Sequence, residues 1–301
     1  MGISRWSGPG VFGLPQGSGD SNPTPGPTMS NHGFAVLDDR YTQSGGDVTA
    51  IYPCMFGAAN DICVVDQAPA TLSAVNLVAA AVPTTAVAMT LAAASTGITV
   101  VPAGGFQLGP TFPIVPAGCL CMDGLPAFIQ MGTLGGGVSM YDPRTMVTRC
   151  ITITSAGTDT GAVMNLVGYD WFGQRMTQQL TMGSSGSPVT TLKAFKFFQS
   201  ATPVGSLSGS NVSLGTSDVY GFQLAAWDWA SCYIVWNNIV STITGFTAAV
   251  ATSPSTNLLG DVRGTYGIQT TASNGTRKLQ MFVSLQPWNL TQAGTWGVPQ
   301  V

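Results

Sequence analysis

The sequence predicts an all-β protein, with a β-sandwich or jelly-roll-like body and an extended N-terminal arm. Three observations predict it. No glutamate occurs in the 301 residues and lysine is confined to Lys193, Lys196 and Lys278, so the polar residues that clothe exposed helices are nearly missing. Thirty-eight glycines and 19 prolines supply turn and breaker signals throughout. The runs between them are rich in Thr, Ser and Val and alternate apolar and polar residues with a period of two.

The arm comes first. Residues 1–33 are Gly, Pro and Ser with isolated Trp6, Phe12 and Leu14. That composition cannot form a helix and carries too little apolar surface to fold alone. Apolar anchors spaced along an extended chain suit a docking arm, each side chain filling a small pocket on a partner. The start, MGISRWSGPGVFGLP, has no continuous apolar core, so no secretory signal is expected. Trp6 stands where a myristoylation pattern requires Ser or Thr.

Residues 34–137 read as an irregular β-rich domain, with Gly or Pro every few residues and a boundary expected at the glycines 135–137. Between residues 67 and 122 there is no charged side chain. A monomer normally covers its surface with mixed charge, so this stretch is expected to be buried, in a core or against a neighbouring subunit. Part of it, LVAAAVPTTAVAMTLAAA (77–94), has the length of a membrane span. Pro83, Thr84 and Thr85 interrupt it and no Lys or Arg flanks it, so no membrane partner is expected.

Residues 138–301 carry the clearest strands, and a sandwich or jelly-roll-like domain is expected there. In RCITITS, Ile151 and Ile153 oppose Thr152 and Thr154. In RMTQQLTM, Met176, Gln178, Leu180 and Met182 share one face. In KAFKFF, Phe195 and Phe197 oppose Lys196, and SCYIVW puts Cys232, Ile234 and Trp236 together. TYGIQTTASNGTRKLQMFVSL reads as a hairpin turning at Asn274-Gly275.

One motif recurs. GYDWFGQ and TSDVYGFQ align as Asp, one residue, aromatic, Gly, through Asp170-Phe172-Gly173 and Asp218-Tyr220-Gly221. Two readings compete. In the first, the motif is a repeated structural corner, Asp capping a turn at a strand junction and the aromatic plugging the end of the domain. In the second it is a carbohydrate- or receptor-binding loop with Tyr169, Trp171, Phe172 and Tyr220 as stacking platforms.

The pattern of reactive residues argues against catalysis. The single histidine, His32, ends the Gly/Pro-rich arm, so no base is positioned for a Ser or Cys nucleophile. Asp38-Asp39 would point to opposite faces of a strand, and no phosphate loop, zinc spacing or calcium loop occurs, so no cofactor or metal is expected. The cysteines Cys54, Cys63, Cys119, Cys121, Cys150 and Cys232 read as free thiols in a reduced compartment. Asn211, Asn274 and Asn289 open N-x-S/T triplets that read as turns. A net charge of −3 speaks against a nucleic-acid partner.

The second half of the chain resembles structural proteins of tailed-bacteriophage virions, and within them the head-decoration or cement proteins. The likeness spans roughly residues 135–290 and rests on Gly168, Asp170 and Gly173, a polar strand, Lys193–Lys196 in K-A-F-K, and a Thr202-Pro203 turn. It implies a non-enzymatic protein made in the bacterial host cytoplasm and placed on the capsid exterior. Its partners would be the major capsid protein and further copies of itself, as a homotrimer or homodimer, bridging capsomers. A tail, neck or head-fibre component is the other virion role the resemblance admits.

Overall fold

The computed structural model describes residues 62–107, 113–126, 128–131, 138–141, 145, 147–205, 207–250, 256–284 and 300–301. Trp6, Phe12, Leu14 and the rest of the arm, His32, Asp38-Asp39, Cys54, the glycines 135–137 and Asn289 lie outside them.

The protein is all-β. No α-helix occurs among the described residues, and Trp229–Ser231 forms a 3-10 turn. The strands of the first part are β1 (Ile62–Gln67), β2 (Ser73–Ala81), β3 (Ile98–Val100), β4 (Leu120–Met122), β5 (Phe128–Met131) and β6 (Val138–Tyr141). Then come β7 (Thr148–Ser155), β8 (Val163–Tyr169), β9 (Arg175–Thr181), β10 (Val189–Thr190), β11 (Phe197–Val204) and β12 (Val212–Gly221). The last are β13 (Cys232–Trp236), β14 (Ile239–Val240), β15 (Phe246–Thr247), β16 (Thr265–Gly267) and β17 (Leu279–Ser284).

Three antiparallel sheets carry the body, in the orders β1-β17-β13-β14, β10-β7-β12-β16-β15 with β2 also on β12, and β3-β4-β11-β8-β9; β5 and β6 form a separate pair. The expected boundary at 135–137 therefore does not divide two folding units. Strands from both sides of it are hydrogen-bonded in each of the three larger sheets, β1 to β17, β2 to β12 and β4 to β11.

The long strand β12 serves two cores. Its first half, with Val212 and Leu214, joins Leu77, Ile151 and Ile153 against Met164, Leu166, Leu180 and Phe198 of the β3–β9 sheet. Its end, with Tyr220, joins Tyr266 against Val65, Ile234, Trp236, Met281 and Val283 of the β1–β14 sheet. A third cluster, Val101, Phe106, Val115, Cys119, Cys121, Tyr169 and Phe197, adds a further core at the β3–β9 sheet. Each fully buried large side chain contributes about 1.5–3 kcal/mol.

The alternations in β7, β9 and β13 bury the residues their sequences indicate: Ile151 and Ile153, then Met176, Gln178 and Leu180, then Ile234 and Trp236. Three expectations need correcting. Phe195 and Phe197 do not share a face. Phe195 bridges Arg149 of β7 while Phe197 opens β11 in another sheet, so they enter different cores and Lys196 is buried between them. The turn at Asn274-Gly275 exists, with Asn274 Oδ1 accepting from the Thr276 and Arg277 amides. It joins β16 to β17, which lie in different sheets, so it closes no hairpin.

Thr202-Pro203 is no turn either. It lies inside β11, paired with Asn165 and Met164, and the Pro203 carbonyl accepts from the Ala86 amide. Residues 67–122 are buried in part within the chain's own cores, and the rest of the stretch is exposed in the single chain. Leu72, Val75, Val82, Val87, Val100 and Ile114 are exposed, and residues between Ala79 and Leu91, among them Val82, Pro83, Val87 and Leu91, line an uncharged groove of about 320 Å³.

Candidate functional site

The two Asp-x-aromatic-Gly motifs sit in different local structures. The first is the tight connection between β8 and β9. Its Gly173 amide donates to the Asp170 carbonyl (3.1 Å), the Gln174 amide to Asp170 Oδ1 (2.9 Å), and Gly173 has φ +81°. The second is no strand junction. Asp218 and Tyr220 lie within β12, where its pairing with β7 breaks register between Thr216 and Tyr220. Gly221 does not adopt a positive φ. A Cβ there would lie 2.5 Å from Thr148 Oγ1 and 2.6 Å from Ala194 Cβ, so the strand has no room for a side chain.

What the motifs share is chemical. Each aspartate holds a buried arginine whose guanidinium lies over the motif's own aromatic ring. Arg263 Nη2 donates to Asp170 Oδ2 at 2.9 Å and its Cζ is 5.5 Å from the centre of the Phe172 ring. Arg149 Nη2 donates to Asp218 Oδ1 at 2.9 Å and its Cζ is 5.3 Å from the centre of the Tyr220 ring. A desolvated cation over an aromatic face adds about 2 kcal/mol of attraction.

Neither pair stands alone. Arg149 also donates to the carbonyls of Ser217 (2.8 Å) and Ala70 (3.1 Å), to Ser273 Oγ (3.1 Å) and to Asp123 Oδ1 (3.3 Å). Burial works against its charge, but Asp123, Tyr220 and Asp218 together hold its pKa above the ordinary value. Burial pushes the Tyr220 phenol up. In the other hub, Asp261 Oδ1 accepts from the Arg263 amide (2.9 Å) and Oδ2 from the Ala194 amide (3.1 Å). Burial pushes the Asp170 carboxyl up, partly offset by the Arg263 charge and the Gln174 amide.

A third buried cation supports the second hub. Lys193 Nζ donates to the carbonyls of Thr256 (2.8 Å), Gln300 (2.9 Å) and Thr177 (3.0 Å), and desolvation lowers its pKa to about 8. Gln300, fully buried, accepts the Val262 amide and its backbone bridges β9 beside Met176. Lys196 Nζ donates to the Met122 carbonyl at 2.8 Å.

Tyr169, Trp171, Phe172 and Tyr220 are only 9%, 3%, 0% and 0% exposed, so none offers a ring face to a sugar. Burial raises Cys119, Cys121 and Cys232 to about 11 and Cys150 further, which leaves them protonated and poor nucleophiles. No group of three or more metal-ligating side chains occurs among the described residues. The arrangement can lock strands together; it presents no open reactive group.

Reading the motif alone misses Arg149, Arg263, Asp123, Asp261 and Gln300. A usable signal was the placement of Arg149 and Arg263 next to strand-forming runs in a chain with so few charges. Comparison with protein-family models, curated proteins and solved structures finds no match for this chain.

Proposed function

We propose that this protein is a non-enzymatic structural subunit of a tailed-phage virion, a cement or decoration protein on the outer capsid lattice. The jelly-roll-like wiring of the body and the docking role of the arm belong to this proposal. The observation that carries it is how charge is distributed. Of the described cations Arg149, Arg175, Lys193, Lys196, Arg263, Arg277 and Lys278, four (Arg149, Lys193, Lys196 and Arg263) are withdrawn into the interior. The charge-free stretch 67–122 meanwhile stands partly at the surface, with Val82, Val87 and Ile114 more than half exposed. Such a surface gains by being covered with protein. The internal ion pairs suit a subunit that must keep its shape under load.

The test is to mix purified protein with undecorated heads and measure cosedimentation, then locate labelled protein on particles by electron microscopy. Binding to the head exterior is expected. Label on the tail or neck would assign the other virion role, and no particle binding at all would overturn the reading. Deleting residues 1–33 should leave a folded body and weaken head binding by a large factor, because an arm adds contacts that become intramolecular once the body is seated.

A further inference from the structure

We infer that β14 is a self-association edge, and that two copies of this chain join there about a two-fold axis. The inference names a surface for the self-association that the resemblance implies and rests on that expectation alone. β14 ends its sheet, with β13 on one side and no strand on the other among the described residues. The turn Asn237-Asn238, with φ of 49° and 65°, makes β13–β14 a tight two-residue hairpin.

That geometry settles which backbone groups face out. Ser241 donates to the Ile234 carbonyl (2.8 Å), and Trp236 pairs with Ile239, so the intervening pair Val235–Val240 is the non-hydrogen-bonded one. The Val240 amide and carbonyl therefore point away from β13, and no described residue bonds to them.

Natural edges are guarded by shortness, charge, proline or bulges. The opposite edge of the same sheet, β1, carries Asp66 paired with Lys278 at 3.2 Å. β14 is short, two residues, but carries no charge, proline or bulge. No charged residue occurs from 229 to 260, and Ile239, Val240 and Ile243 are 64%, 54% and 61% exposed.

The occupant that fits is an identical edge. A second β14, antiparallel to the first, places Val240 opposite Val240, each amide donating to the other's carbonyl. An uncharged apolar edge meets its own copy without like-charge repulsion, as an isologous interface requires. The order is then a dimer, or an even assembly built from dimers, rather than a trimer.

The experiment is sedimentation with mass determination on the full chain, wild type beside Ile239→Lys/Val240→Lys and a Val82→Lys control. A wild-type dimer is expected, with a twofold lower mass for the double variant, a retained β-sheet spectrum, and no change for the control. Hydrogen exchange supplies a readout independent of folding by the variants. The Val240 amide of the wild type should be protected when concentrated and lose protection on dilution. A wild-type monomer or trimer, a double variant at wild-type mass, dissociation by Val82→Lys, or an unprotected Val240 amide would each overturn the inference. Head binding is scored separately on the same samples. A dimer that binds no heads defeats the cement reading alone, and a monomer that binds them defeats the edge alone.

Discussion

Arg149 and Tyr220 converge on one oxygen. The guanidinium lies over the phenol ring at 5.3 Å, and both Arg149 Nη2 and the Tyr220 hydroxyl donate to Asp218 Oδ1 at 2.9 Å. Because Arg149 also reaches Ala70, Asp123 and Ser273, one side chain ties β7 and β12 to three connecting segments. Such a group is costly to bury and costlier to lose.

Replacing it tests that cost. Arg149→Met leaves the Asp123 and Asp218 carboxylates without their cation, and about 3–5 kcal/mol of stability should disappear. Arg149→Lys should recover only part of this, since an ammonium offers three donors and cannot reproduce the fork. Denaturant midpoints at unchanged m-value are the measurement, and a shift below about 1 kcal/mol would contradict the assignment.

The second hub can be dissected by a double-mutant cycle. Asp170→Asn and Arg263→Gln each break a fully buried pair, and each should destabilise by about 3–5 kcal/mol. The double variant should lose less than their sum, with a coupling of about 0.5–3 kcal/mol. Simple additivity would mean that the 2.9 Å contact carries no energy of its own.

Trp171 separates packing from recognition. Its indole N–H is buried and has no hydrogen-bond partner among the described residues, so the bulk of the ring is what contributes. Trp171→Ala should cost about 3–5 kcal/mol, and Trp171→Phe clearly less than half of that. Thermal melts give the ranking. Glycan binding by the wild type, lost in a stably folded alanine variant, would restore the sugar-binding reading.

Alkaline pH acts on the thiols. Burial raises Cys119, Cys121 and Cys232 to about 11 from an ordinary value of 9.0. Between pH 9 and 11 the unfolded chain releases protons that the folded chain keeps, so stability is full below pH 9 and falls across this window. Lys193 works the other way. Its pKa is lowered to about 8 from 10.5, so the fold gains stability as pH rises through that interval. A Cys119→Ala/Cys121→Ala variant should show a flatter alkaline decline in melting temperature, and Lys193→Met a steeper one.

The two glycines differ in kind. Gly173→Ala meets a positive φ and a Cβ 2.7 Å from the Pro113 carbonyl, whereas Gly221→Ala meets only side-chain atoms. Turning the Thr148 hydroxyl away relieves part of the second clash, although Ala194 Cβ moves only with its backbone, whereas the first adds a positive φ to a backbone clash. Gly173→Ala should therefore be the more damaging, with Gly221→Ala costing about 1–3 kcal/mol by overpacking. Equal midpoints would refute the distinction.

The sequence by itself determined the all-β class, the burial phase of β7, β9 and β13, and the scarcity of surface charge. These are local properties, readable from helix-former depletion and period-two alternation. Only the tertiary structure decided which strands share a sheet. The same alternation fits many partners, and so a boundary drawn at 135–137 fell across hydrogen-bonded pairs such as β2–β12. The motif residues were legible, but their partners were not. Asp170 and Arg263 lie 93 residues apart, Asp218 and Arg149 lie 69 apart, and no local rule couples them. Burial of a charge is a property of the assembled core. It takes the folded chain to show that this protein keeps most of its described cations inside and places the uncharged β14 at the rim of its sheet.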